Sequence, residues 1–307
     1  AAAIGNSFSA ELGGSANVRN FQDSWRNATA DMYVDISDTA GSLEATTAAI
    51  GNSASISIDA FEGDGGASQV SNTQFTHWGR FYSDMMIEGG NIIAPSAGDV
   101  AVSATAASIA NSLSVNVRGD LAVGGADENI GDLNSCDPAN EGACEGELGN
   151  LDQIDAVGGF EDWSANSRQF FRGDSRSTLN ADLNDVVGAV ELTSAALGNS
   201  ASFDVEGADT VQINTWQFAG YDPQAFSNVE INALEGDFTS TTAAISNSLS
   251  VSTLPATASL GVNSTQLNRA YTGATANIHL HDVTGSVSLT AAAIGNSASI
   301  SNLPDGF

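Results

Sequence analysis

Apolar and polar residues alternate along much of this chain, and the alternation keeps returning to one short phrase. In one copy Leu43, Ala45, Thr47 and Ala49 share a parity, after which Ile50, Asn52, Ala54, Ile56 and Ile58 share the other. Strict alternation marks a strand with one buried and one wet face. A parity change inside a continuous strand pattern marks a bulge or corner, here expected between Ala49 and Ile50. The phrase, roughly Ala-Ala-Ile-Gly-Asn-Ser, occurs six times, with its asparagine at Asn6, Asn52, Asn111, Asn199, Asn247 and Asn296. The separations are 46, 59, 88, 48 and 49 residues, so the period is close to 48 and the longest interval holds an insertion.

Other landmarks keep the same phase. Gly41, Gly188, Gly236 and Gly285 each stand eleven residues before the asparagine, and short alternating segments precede them, such as Tyr33-Val34-Asp35-Ile36-Ser37 and Asn228-Val229-Glu230-Ile231-Asn232. Further upstream a glutamine is followed by an aromatic: Gln22 with Trp25, Gln74 with Trp78, Gln169 with Phe170, Gln212 with Trp216 and Gln266 with Tyr271. Each unit therefore predicts three strand-like segments separated by Gly, Asp and Asn turns. A helical reading of the alanines fails on length, because each run is two or three residues flanked by Thr, Ser, Gly and Asn.

A unit too small to bury its own apolar face must stack on a copy of itself. The expected fold is all-β, an elongated β-solenoid of about five imperfect repeats of roughly 48 residues with one inserted loop. It forms a single repeat domain over 1–307, with units near 6–51, 52–110, 111–198, 199–246 and 247–295 and a terminal stub at 296–307. The motif asparagine falls on the inward parity, where an unpaired amide would cost several kcal/mol. Stacked in register, Asn6, Asn52, Asn111, Asn199, Asn247 and Asn296 can bond one another as a ladder. The plainer reading of each is a surface turn residue.

Composition narrows the partners. Lys+Arg number 8 against Asp+Glu 37, a formal charge of −29, and all eight bases are arginine. Such a surface repels phosphate backbones and anionic lipid, which argues against nucleic acid and the membrane surface and makes cations the natural counterpart. Acidity also keeps a strand-rich protein from edge-to-edge aggregation. No run approaches the roughly 18 apolar residues of a membrane helix, so no membrane insertion is expected. The chain opens at Ala1 without a methionine, as expected after removal of a secretion signal.

Between the third and fourth copies, 124–150 departs from the pattern as an acidic, glycine-rich loop. Cys136 and Cys144 lie in it; a disulfide there fits an oxidising compartment and would add roughly 2–3 kcal/mol, the alternative being two free thiols. Asp127, Asp132, Asp137 and Glu141 could hold Ca²⁺, although their spacing matches no EF-hand and a solvated acidic loop is the simpler reading. No other cofactor is expected. His279 and His281 share a face, but Asp35, Asp182 and Glu230 stand where His279 does, which reads as the wet side of a strand. No hydrolase elbow, metalloprotease helix or phosphate loop appears. The chain reads as no enzyme.

The rows Asn-x-Ala/Leu-x-Ile/Val with phase-locked glutamines, as in Gly51-Asn52-Ser53-Ala54-Ser55-Ile56, resemble the amyloid-type repeats of curlins and of curlin-related holdfast anchor proteins in stalked bacteria. That resemblance implies a secreted, surface-attached β-solenoid fibre subunit. The period is about twice a curlin repeat, and the aromatic segment is foreign to curlins. The string Ala-Ile-Gly-Asn-Ser-Ala-Ser-Ile is also similar to head repeats of trimeric autotransporter adhesins, which repeat without the breaks seen here.

The functional expectation is an extracellular, cell-surface filament subunit for adhesion or biofilm, its partner being another copy of itself joined head to tail. Motif copies at both ends of the chain, without a polar cap, suggest this, and Ala1, Ala2, Ala3, Ile4, Ile294 and Ile300 are the expected interface. Two alternatives are a monomeric surface adhesin or carbohydrate-binding solenoid that meets extracellular polysaccharide through Trp25, Trp78, Trp216 and Tyr271, and a β-helix polysaccharide lyase or hydrolase.

Overall fold

The computed structural model describes residues 1–60, 68–96, 98–123, 167–254 and 259–302. In chain order the strands are β1 (Ala2–Gly13), β2 (Asn17–Ser24), β3 (Ala28–Ala40), β4 (Leu43–Asp59), β5 (Ser68–Ile93), β6 (Val100–Arg118), β7 (Leu121–Val123), β8 (Ser167–Val187), β9 (Ala189–Glu206), β10 (Thr210–Ala219), β11 (Pro223–Glu235), β12 (Phe238–Leu254), β13 (Ser259–Asn268), β14 (Gly273–Thr284) and β15 (Val287–Asn302). The fold is all-β, with two parallel sheets. One has six strands in the order β1-β4-β6-β9-β12-β15, and each contains one copy of the asparagine motif. The other has nine, and its main path runs β13-β10-β7-β5-β8-β11-β14, with β2 and β3 both beside β5.

Pairing is in register, like on like. Ile4 lies beside Ile50, Ile50 beside Ile109, Ile109 beside Leu197, Leu197 beside Ile245 and Ile245 beside Ile294. Parallel sheets cannot be closed by short hairpins, and here the chain visits the nine-stranded sheet between successive strands of the six-stranded one.

Alternation directs the apolar residues inward, into two clusters. The first half of each six-strand-sheet element faces the later part of the other sheet, where Ala45, Ala104, Val190, Leu192 and Phe238 meet Met85, Ile87, Leu179, Leu183 and Ile231. The second half packs on the earlier part, where Ile56, Leu113, Val115, Phe203 and Val251 meet Val70, Val211 and Ile213. Between the two lies a belt of buried amides and hydroxyls, with Phe81 and Phe171 set into it.

The corner expected between Ala49 and Ile50 falls later. Ala45, Thr47, Ala49 and Gly51 are buried, Ile50 is half-buried on the outer side, and Asn52, Ala54, Ile56 and Ile58 are buried. Parity thus switches between Gly51 and Asn52. The reason is space: a Cβ on Gly51 would lie 2.6 Å from the Ala110 carbonyl oxygen and 2.7 Å from the Phe81 ring, so the backbone crowds inward there.

A second corner precedes β4, β6, β9, β12 and β15. Asp38, Asn91, Asp185, Ala233 and Asp282 all adopt the left-handed conformation, with φ between 52° and 63°. Asp and Asn tolerate this region and alanine does not, at about 1–2 kcal/mol. Asn91 also donates to Asp38 Oδ1 at 2.8 Å, whereas Ala233 sits level between Asp185 and Asp282 and offers neither anything. Ala233→Asn is expected to stabilise the protein by about 1 kcal/mol, read as a higher urea midpoint with unchanged slope.

Candidate functional site: the amide rows and the open sheet edges

Two rows of side-chain amides run through the belt between the clusters. In the first, Asn6 donates from Nδ2 to Asn52 Oδ1 at 2.8 Å, Asn52 to Asn111 at 2.9 Å, and Asn111 to Asn199, Asn199 to Asn247 and Asn247 to Asn296 at 2.8 Å each. The second N–H of each crosses to a carbonyl of the other sheet: Asp23, Phe75, Phe170, Phe218 and Leu267 for the first five, and Gln266 for Asn296. Asn52, Asn111, Asn199 and Asn247 are fully buried, and this pairing removes the cost of burying an amide.

The second row is glutamine, on the opposite sheet. Gln74 donates to Gln22, Gln169 to Gln74, Gln217 to Gln169 and Gln266 to Gln217, all at 2.8–2.9 Å. Each also donates to the carbonyl of the serine that follows a motif asparagine: Ser53, Ser112, Ser200, Ser248 and Ser297. The residue in this row is Gln217, not Gln212, which lies five residues earlier beside Gly261. Trp216 sits between the two glutamines and draws the phase to the wrong one. The signal that finds it is distance: Gln22, Gln169, Gln217 and Gln266 each stand 30 residues before the next motif asparagine, whereas Gln212 stands 35 before Asn247, and the residue after each row glutamine supplies the carbonyl for the asparagine row.

The rows point in opposite directions. Asparagine N–H groups donate toward the later strands, glutamine N–H groups toward the earlier ones. Among the described residues the first coil is therefore left with an Asn6 Oδ1 that accepts no bond and a Gln22 N–H that donates none. The last coil has the converse, a spare Asn296 N–H and an unused Gln266 Oε1.

The same two coils carry the open edges. β1 and β15 are the terminal strands of the six-stranded sheet, and Ile4, Leu12, Val287, Leu289, Ile294 and Ile300 are exposed on them, Ile4 at 51% and Ile300 at 53%. Ala1, Ala2, Ala3 and Ile4 are thus placed at one end, Ile294 and Ile300 at the other.

Outer-face residues form further columns. Asp35, Glu88, Asp182, Glu230 and His279 stack in one, with Tyr33 donating to Glu88 at 2.7 Å. Among the described residues no group of three or more His, Cys, Asp or Glu could hold a metal. Arg118 lies between Asp59 (3.1 Å) and Glu206 (3.5 Å) on neighbouring strands, relieving a column of like charges. Trp25, Trp78, Tyr221 and Tyr271 are exposed, as are Phe21 and Tyr33 on β2 and β3. Trp216 is not among them; it is half-buried and stacked on Phe170 and Phe218. Trp25 stacks on His77 at 4.2 Å, and Asp23 lies 3.3 Å from the imidazole. Burial lowers the His77 pKa below its ordinary value, Asp23 opposing the shift and Arg172 adding to it. Cys136, Cys144, Asp127, Asp132, Asp137 and Glu141 lie outside the described residues.

Parallel sheets with repeat-on-repeat pairing and open terminal strands define a class of stacked all-β repeat protein. A family model described as Holdfast attachment protein D matches residues 148–304, just over half of the chain. The chain belongs to the holdfast attachment protein D family, which gives it a role in surface adhesion at or beyond the cell surface. The match accords with the resemblance to holdfast anchors and carries nothing specific to curlins. No curated protein and no solved structure matches.

Proposed function

We propose that this chain is a β-solenoid that joins end to end with copies of itself into an extracellular adhesive filament, a structural subunit and not an enzyme. The observation that carries the reading is the pair of amide rows, each joining like residue to like across every described repeat and each donating in one constant direction. Buried amides need partners, and a second copy supplies them in kind.

The charge of −29 opposes this association. The Debye length is about 30 Å at 0.01 M ionic strength and about 8 Å at 0.15 M, so added salt or Ca²⁺ shifts the balance toward assembly. Electron microscopy of the purified protein is expected to reveal filaments at physiological salt or with Ca²⁺ and few in dilute buffer with a chelator. Equal filament formation in both refutes the role of cations; single particles under every condition refute the filament.

One observation favours a second reading, a solenoid that binds extracellular polysaccharide: the exposed rings of Trp25, Trp78, Tyr221 and Tyr271, which suit stacking on sugar faces. Retention on immobilised polysaccharide, lost in Trp25→Ala/Trp78→Ala, supports it, and equal passage of both proteins removes it.

A further inference from the structure

The outer face of the six-stranded sheet holds one residue type per column. Read on β6, its central columns are Thr105, Ala107, Ile109, Ser112 and Ser114, and every strand paired at these positions repeats the residue, apart from Leu197 in the isoleucine column. These side chains are half-buried or exposed, and no described strand lies over them. Inward positions on the same strands vary: Ile56, Val115, Phe203 and Val251 share one core column. The outer face of the other sheet varies too, with Tyr33, Met86, Asn180, Asn228 and Asn277 in one column. Water makes no demand for one residue type, and substitutions on a bare surface are near neutral. Uniformity on this face therefore points to a partner that repeats at the same spacing.

The strip is also free of charge, on a chain with 37 acids. Carboxylates begin only at its margins, at Glu44 and Glu191 on one side and at Glu11 and Asp204 on the other. Two copies, each at −29, can meet across it without bringing acids together. From the threonine to the outer serine column the strip runs about 30 Å along the strands, and the six described strands span about 29 Å, which gives about 900 Å² on each copy. A stable interface takes about 800 Å² per partner. A second copy meets all three conditions, since it offers the same area, the same freedom from charge and the same strand spacing.

We propose that two copies pair side by side through this face, related by a two-fold axis along the direction in which the strands stack. That axis reverses the strands, so the order Thr, Ala, Ile, Ser, Ser meets its own reverse. The Ala107 column of one copy then faces the Ile109 column of the other, and the branched side chains seat against methyl groups, small against large. The Thr105 column faces the Ser112 column, hydroxyl on hydroxyl, and Glu44 and Glu191 lie over serines of the Ser114 column. The pairing is lateral, so it goes beyond the end-to-end reading and stands without it. Both copies keep one polarity along the axis, which lets the pairing continue along a filament.

Charge placed on the strip tests this. Ala107→Lys and Ile109→Glu each set an unmatched charge against an apolar column. Sedimentation at about 0.15 M salt is expected to show pairs of the wild-type chain and a dissociation constant raised about tenfold or more in either variant. Mixed one to one, the two variants are expected to pair again, because the two new charges face each other across the axis; misfolding alone is not rescued by mixing. Thr105→Lys with Ser112→Glu makes a second such combination, at the hydroxyl columns, if the first fails to fold. In micrographs, wild-type filaments are expected to be two molecules wide and Ala107→Lys filaments one. A wild-type chain that sediments as single molecules, variants that pair as well as wild type, or folded variants whose mixture does not recover, each overturn the proposal. Single-width wild-type filaments overturn the pairing and leave end-to-end assembly standing; pairs that never lengthen do the reverse.

Discussion

Asn111→Ala is expected to destabilise the protein by about 4 kcal/mol, whereas Asn296→Ala in the same row costs about 1 kcal/mol. Asn111 is fully buried near the middle of the row, accepts from Asn52, and donates to Asn199 Oδ1 and to the Phe170 carbonyl. Truncation leaves the Asn52 N–H and the Asn199 oxygen facing a void, and each stranded buried group costs about 1–3 kcal/mol. Asn296 lies at the exposed end, where water replaces what is lost. Equilibrium urea unfolding of the two variants measures the contrast. Equal costs would mean that the row contributes pairwise contacts only and that burial plays no part.

Phe81→Ala is expected to cost about 4 kcal/mol, within the range for fully buried aromatics. The ring has no exposure, and it fills slots left open by two glycines: a Cβ on Gly51 would come within 2.7 Å of it and one on Gly79 within 2.8 Å. Alanine at 81 empties a space walled by backbone that cannot collapse. Gly51→Ala is destabilising in the native background, because its methyl meets the ring. In the Phe81→Ala background the same methyl fills part of the void. A double-mutant cycle is therefore expected to return a favourable coupling of about 1 kcal/mol or more, and additivity would show that the ring is not held by Gly51.

The all-β class and the strand positions were legible because alternation is a local signal, and each strand in the six-stranded sheet carries its own copy of the phrase. The asparagine phase survived insertions for the same reason. Three features were not legible. The corner lies two residues later than parity suggests, because Ile50 is apolar yet half-buried on the outer face. The glutamine row was misassigned at one member because Gln212 and Gln217 flank the same tryptophan, and the aromatic was taken as the landmark in place of the 30-residue distance to the motif asparagine. The direction of each amide row has no sequence signature at all: asparagine donates and accepts alike, and only the carbonyls of Phe75, Phe170 and Phe218 opposite decide which way the N–H points. The left-handed corner at Asp38, Asn91, Asp185 and Asp282 was visible as turn-forming residues. Ala233 in that row was not, since nothing in an alanine signals positive φ.

Fibre diffraction from aligned filaments tests the stacked, end-to-end assembly most directly. Strands perpendicular to the filament axis are expected to give a meridional reflection near 4.7–4.8 Å, with the spacing between the two sheets on the equator. A 4.7–4.8 Å reflection on the equator, from strands lying along the filament, would contradict it.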